Sequence, residues 1–235
     1  MSPQPLRFAY LIEPPFCYRD AEGRVTGYDV EIARHLLPNL GVPSIQFIET
    51  EFSELLDGLT DGRWAMTTGL FITEARRERV DFSRPIWELP DGLLIRSETA
   101  ADIHGYTSLA QSPTRRLGII QDQVQHQTAR RLGVPNDRIS LFNTYEAAAH
   151  AVRAGTIDAY ASVALAHRGH LALNPDPYLT VVEVPSTEKP PERGGFAFAK
   201  TDASLRQAVD TALTAFVNTP PHHALAARFG FSLPA

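Results

Sequence analysis

The residues best suited to chemistry lie in Thr68-Gly69-Leu70-Phe71-Ile72-Thr73-Glu74-Ala75-Arg76, with Val80-Asp81-Phe82-Ser83 just beyond. An apolar run, Trp64 to Met66, ends in small residues, and a threonine opens a short polar, helix-forming segment that carries Arg76. A strand that stops at a helix N-terminus leaves backbone N–H groups free to meet an anion. An arginine one turn further on adds a planar, two-pronged donor for a carboxylate. The competing reading is a solvated surface arginine paired with Glu74 or Asp81. Other chemistry is sparse. His167 and His170 stand three apart on a helical stretch, but no further Cys, His or acid cluster joins them. They are read as a solvated pair rather than a metal site. No P-loop, G-x-G-x-x-G, G-x-S-x-G or H-E-x-x-H motif is present, and neither a cofactor nor a metal is expected.

Elements that position these residues follow from the hydrophobic pattern. Apolar strands alternate with helical stretches from end to end, which argues for α/β layers and parallel sheet. Strands are expected at Phe8 to Ile12, Ile45 to Ile48 and Ala65 to Thr68, with helices at Tyr28 to Leu40 and Phe52 to Leu59. In the first helix Val30, Ala33, Leu36 and Leu37 share one face, and Asp29 stands where an N-cap belongs. A new apolar run, Gly92 to Ile95, opens a second series. Strands there are Leu117 to Ile120, Ile139 to Phe142 and Asp158 to Val163. The helices are Gln123 to Leu132, Tyr145 to Ala154 and His167 to Ala172. Pro185 to Gly195, rich in proline and charge, reads as a linker. Beyond it come a strand, Phe196 to Ala199, and an amphipathic helix, Leu205 to Val217.

The 235-residue chain has a net charge of −5, which gives no electrostatic reason to expect nucleic acid or an anionic membrane as partner. No apolar run approaches the roughly 18–20 residues that cross a bilayer. Cys17 is the single cysteine, so no intramolecular disulfide can form. Met1-Ser2-Pro3-Gln4-Pro5 has neither the basic segment nor the apolar core of a signal peptide.

Order adds what single motifs lack. A strand is followed by Pro14-Pro15-Phe16, a turn at Asp20 to Arg24, then Gly27-Tyr28-Asp29-Val30-Glu31-Ile32-Ala33, then Thr68 to Arg76 and Asp81-Phe82-Ser83. From about Leu6 to Phe231 this succession resembles the solute-binding proteins of polar-amino-acid ABC transporters, the periplasmic-binding-protein type 2 family. The resemblance implies an α/β fold of two lobes, 1–88 plus 193–235 and 89–192, joined by two crossings with the ligand held between them. It also implies a monomer, ABC permease subunits as partners, and a periplasmic location. With no leader visible in this chain, either the signal was removed or the protein stays in the cytoplasm.

In that family Arg76 aligns with the arginine that clamps the ligand's α-carboxylate, and Gly69 and Phe71 align with positions at the same end. Departures carry more information. Phe71 stands where Ser or Thr is usual. Ile120-Gln121-Asp122-Gln123-Val124 replaces the usual V-x-Q-G-T, and Ser162 and Val163 replace the usual ammonium-binding aspartate. Glu13 and Phe16 sit three apart after the first strand, Phe71 and Arg76 five apart, and Phe52 starts the helix that brings an aromatic over the ligand. These suggest an aromatic box with an acid at one end and an arginine at the other. Aromatic faces hold a delocalised or alkylated cation by about 0.5–2 kcal/mol each. The arrangement resembles the ectoine-type receptors of the family and suits a small zwitterion, amino-acid, ectoine-like or betaine-like. Asp122 and Gln123 either meet a ligand amine or cap the following helix. Two other functions are weighed: an enzyme resembling cyclohexadienyl dehydratase, with Glu13 or Asp122 as acid or base, and a cytosolic or sensor-domain relative.

Overall fold

The computed structural model describes residues 4–231. The opening Met1-Ser2-Pro3, on which the signal-peptide reading rests, lies outside the described residues. Contacts divide the chain into two compact units: Met1–Glu88 with Arg193–Ala235, and Leu89–Glu192. No described helix is long and apolar enough to cross a membrane.

The first unit opens with strand β1 (Leu6–Tyr10), a short hairpin of β2 (Tyr18–Arg19) and β3 (Val25–Thr26), and helix α1 (Tyr28–Leu36). Strand β4 (Ile45–Glu49), helix α2 (Glu54–Thr60) and strand β5 (Met66–Thr67) follow. β1 lies between β4 and β5, parallel to both, with Phe8 opposite Phe47 and Met66. Parallel pairing requires crossovers, which α1 and α2 supply. The first crossover runs from β1 out to β4 and the second returns from β4 past β1 to β5, so the carboxyl end of β1 is a topological switch point, the usual place for a ligand. Val30, Ile32, Ala33 and Leu36 bury the apolar stripe of α1. That helix stops short of Leu40 because Pro38 has no N–H to donate, and Leu37–Leu40 tightens to a 3-10 turn.

The rest of the unit is a second, antiparallel sheet. Strand β6 (Gly69–Phe71), helix α3 (Glu74–Arg79), β7 (Val80–Phe82) and β8 (Trp87–Leu89) come before the second unit. The expected strand Ala65 to Thr68 is the short β5, and β6 just beyond it belongs to this other sheet, paired to the returning strand β14 (Glu192–Ala199).

The second unit contains β9 (Asp91–Arg96), α4 (Tyr106–Gln111), β10 (Leu117–Ile120), α5 (Gln125–Arg131) and β11 (Ile139–Phe142). Helix α6 (Tyr145–Arg153), β12 (Ala159–Val163), α7 (Ala164–Leu173) and β13 (Leu179–Glu183) complete it. Its sheet runs β11-β10-β12-β9-β13, with β10 parallel to both neighbours and β9 antiparallel to both of its own. Thus β10 is a switch point as β1 is. Leu93, Ile95, Leu117, Ile119 and Ala161 form the core with Tyr106 and Leu109.

Three expectations need correction. α7 begins at Ala164, directly after β12, because Ala164-Leu165-Ala166 are strong helix formers. The stretch 185–195 is not a free linker, since Lys189 is fully buried and β14 already starts at Glu192. α2 starts at Glu54, which leaves Phe52 in the turn before it. Helices α8 (Ala203–Phe216) and α9 (Pro220–Arg228) close the chain against α1.

Candidate functional site

Thr73 is the N-cap of α3, and its hydroxyl accepts the Arg76 amide at 3.3 Å. This sets the rotation of a helix only six residues long, so that Arg76 is buried while Glu74, Arg77, Glu78 and Arg79 are exposed. Arg76 is 8 % exposed. Its Nη1 donates to the Phe71 carbonyl at 3.0 Å, and its guanidinium carbon lies 5.3 Å from the centre of the Phe52 ring. The solvated-arginine reading does not hold. A guanidinium withdrawn from water strengthens any charge-assisted bond it makes to a carboxylate.

Aromatic residues continue from this point. Phe71 meets Trp87 edge-on at 5.3 Å between ring centres, and Trp87 meets Phe16 at 5.7 Å. Phe16 in turn packs edge-on against Phe231 at 5.4 Å. Phe16 and Glu13 are held on one tight turn: the Phe16 amide donates to the Glu13 carbonyl at 2.9 Å, and the Glu13 amide to the Cys17 carbonyl at 2.7 Å. Phe16, Phe71, Arg76 and Phe52 are thus linked in one run, with Trp87 as a member that the sequence reading passed over. Glycines were the available signal for it. A Cβ at Gly194 would lie 1.9 Å from the indole, and one at Gly69 2.8 Å from its nitrogen. Both strand glycines are there because the tryptophan occupies their side-chain space.

In the second unit, Asp122 follows the switch strand β10 with a positive φ of 64° and is exposed. Gln123 beside it is buried, and its Oε1 has no hydrogen-bond partner. Helix α5 begins later, at Gln125, and takes no side-chain cap. Val124 holds its N-cap position. Ser162 is buried near the end of β12, in register with Gly92.

The family model for bacterial extracellular solute-binding proteins, family 3, matches residues 6–231. The chain belongs to this family. A curated relative, the probable amino-acid ABC transporter periplasmic-binding protein y4tE of Sinorhizobium fredii (strain NBRC 101917 / NGR234), is 31% identical over 233 residues, spanning 96% of this chain and 77% of the relative. Among solved structures, EhuB in complex with hydroxyectoine superposes with a TM-score of 0.88 at 27% identity, covering 97% of this chain and 88% of that one. The ancestral amino-acid-binding protein AncCDT-1, a precursor of cyclohexadienyl dehydratase, gives 0.83 at 24% identity, with 95% and 94% covered. The α/β fold is that of the type 2 periplasmic binding proteins.

Within this family 3 chain the least anticipated group is Asp29. It is not an N-cap. Gly27 holds that position with φ 127°, where a Cβ would fall 2.2 Å from the Phe16 carbonyl oxygen. Asp29 is instead fully buried and reaches across to β5 and β6. Its Oδ2 accepts from the Thr68 hydroxyl at 2.6 Å and from the Gly69 amide at 2.8 Å. Burial pushes its carboxyl up to about 6, against the pull of these donors. Cys17 Sγ lies 3.2 Å from the Thr68 hydroxyl, and burial pushes that thiol up as well.

The second unit also buries a polar network. Asp91 receives the Tyr106 hydroxyl at 2.7 Å and the Gln125 amide at 3.1 Å, and Lys189 Nζ lies 3.3 Å from it. Lys189 lies 3.4 Å from Glu192 as well. His167 is not part of a solvated pair but buried. Its Nε2 faces the Gly92 carbonyl at 3.3 Å, so Nε2 carries the proton and Nδ1 accepts from Tyr145 at 2.7 Å. Burial holds His167 down at about 3, hence neutral. Among the described residues no three His, Cys, Asp or Glu side chains are grouped to hold a metal. Trp64 is a core residue whose indole donates to the Leu55 carbonyl at 2.9 Å.

Proposed function

We propose that this protein captures a small zwitterion with one carboxylate and one delocalised or alkylated cation, and delivers it to an ABC permease. Arg76 is the clamp for the carboxylate, assisted by Gly69 and the backbone of Phe71. Phe16, Phe52 and Phe71 form the wall against the cation, and Glu13 supplies the opposing charge. Asp122, Gln123 and Ser162 are the proposed contacts of the second unit. The observation that carries this reading is the buried Arg76 guanidinium, held by the Phe71 carbonyl and lying over Phe52, in line with the Phe71–Trp87–Phe16 rings. Similarity to EhuB, solved with hydroxyectoine, supports an ectoine-like ligand, and the relative from Sinorhizobium fredii supports a periplasmic transporter component.

The test is a thermal-shift screen with ectoine, hydroxyectoine, glycine betaine and the common amino acids. The expected result is stabilisation by one of the first three. At about 100 times its dissociation constant such a ligand adds about 2.7 kcal/mol. Stabilisation by plain α-amino acids alone overturns the aromatic-box assignment. Turnover of prephenate or arogenate overturns the receptor reading altogether.

A further inference from the structure

Two buried polar groups beside the proposed wall lack partners, and their chemistry is complementary. Asp29 Oδ2 is taken by Thr68 and Gly69, whereas Oδ1 is buried without a hydrogen bond. Trp87 Nε1, an obligate donor, is likewise buried without one. Gly69 stands between them: a Cβ there would lie 2.8 Å from Trp87 Nε1 and 3.1 Å from Asp29 Oδ2. An acceptor and a donor are therefore neighbours across one glycine, outside strict bonding geometry but close enough for the indole N–H to pull the Asp29 carboxyl down.

We propose that Asp29 and Trp87 are positioning residues for the first unit's ligand wall, with the Asp29 carboxylate as acceptor for the Trp87 indole N–H. Trp87 packs against both the Phe16 and the Phe71 ring, while Asp29 holds the Thr68–Gly69 turn. A small inward shift of the indole closes the bond, satisfies both groups and seats the two phenylalanines. The word ligand rests on the function proposed above; the brace itself does not.

Protonation would oppose the brace. A carboxylic acid gives up one acceptor site to its own O–H, and a proton on Oδ1 leaves the indole only a weak, uncharged acceptor. The groups facing Asp29 allow the exchange. These are the Thr68 hydroxyl, the Cys17 thiol beyond it, the Gly69 amide, the indole, and Tyr28, whose hydroxyl is engaged with His222 and the Ile86 carbonyl. Glu13 lies further off, on the Cys17 side. No cation within ion-pair distance fixes the charge of Asp29 among the described residues. Burial brings its titration up to about 6.

Trp87 is one of only two tryptophans, so its indole N–H can be followed directly in the ligand-free protein. In 15N-labelled protein, with Trp87→Phe used to assign the two resonances, the Trp87 signal is expected to titrate with a midpoint near pH 6 while that of Trp64 stays fixed. In Asp29→Asn this midpoint is expected to vanish. A Trp87 signal that does not move, or moves equally in Asp29→Asn, overturns the proposal. Calorimetry with hydroxyectoine supplies the second arm, with affinity expected to fall at least tenfold from pH 8 to pH 5 in the wild type and less than twofold in Trp87→Phe. Binding that is independent of pH keeps the ligand assignment and overturns the positioning role. A titrating indole with no hydroxyectoine binding supports the brace and removes the ligand.

Discussion

Both units bury one aspartate completely, and they treat it in opposite ways. Asp91 in the second unit is met by Lys189, Tyr106 and Gln125. Asp29 in the first is met by a hydroxyl and an amide, with the Trp87 indole N–H close by, all neutral. Burial raises both carboxyls, but at Asp91 the Lys189 ammonium is the chief opposing influence, whereas Asp29 has no such counterweight and rises to about 6. Charge is structural at Asp91 and adjustable at Asp29. A buried acid with a buried cation keeps its charge because either ion alone would be costly. One with neutral donors only can exchange a proton at ordinary pH.

The sharpest way to break this contrast is Lys189→Met. Removing one partner of a buried pair leaves an uncompensated charge, at an expected cost of about 3–5 kcal/mol in urea unfolding. Adding Asp91→Asn should restore at least half of that loss. A single variant as stable as the wild type would show that Asp91 is not neutralised by Lys189.

Asp29→Asn tests the other side through the pH dependence of stability. Between the unfolded value near 4 and the folded value near 6, the native state holds the extra proton. Stability from Asp29 is therefore full at low pH and is lost as pH rises through 6, by about 3 kcal/mol in all. His167 acts with the opposite sign. Its folded value is about 3, so its contribution is present above the ordinary histidine value of about 6.5 and is lost as pH falls. In the wild type the two slopes oppose each other between pH 4 and 6. The variant should expose the His167 slope, with unfolding free energy rising with pH across that window.

Arg76→Ala probes the proposed clamp in the first unit. Hydroxyectoine affinity is expected to fall at least a hundredfold, about 2.7 kcal/mol, with the melting temperature of the free protein little changed. Phe71→Ser has the smallest expected effect. About tenfold weaker binding, some 1.4 kcal/mol, follows from removing one aromatic face. A gain in affinity for plain amino acids in that variant would sharpen the case that Phe71 sets the ligand class.

Much of this protein is written locally. β10 is where the apolar run places it, because a buried parallel strand needs only a continuous hydrophobic stretch, and β11 pairs beside it as the half-buried edge. The Thr73-to-Arg76 cap is equally local, since its partners lie three residues apart. Asp29 was legible only as a helix-start residue; its real partners stand about 40 positions away, beyond any periodicity. Trp87 looked like part of a proline-flanked connection, and only the folding of Phe16, Phe71, Gly69 and Gly194 around it shows its place. Lys189 sat in a stretch whose proline and charge content reads as solvated, yet Asp91 draws it fully inside. Sequence alone determined the alternation of strands and helices, the family and the Thr73-capped turn that carries Arg76, since all rest on short-range order. The tertiary structure alone decided which charges are buried, which are paired and which rings touch, because those depend on contacts between segments far apart in the chain.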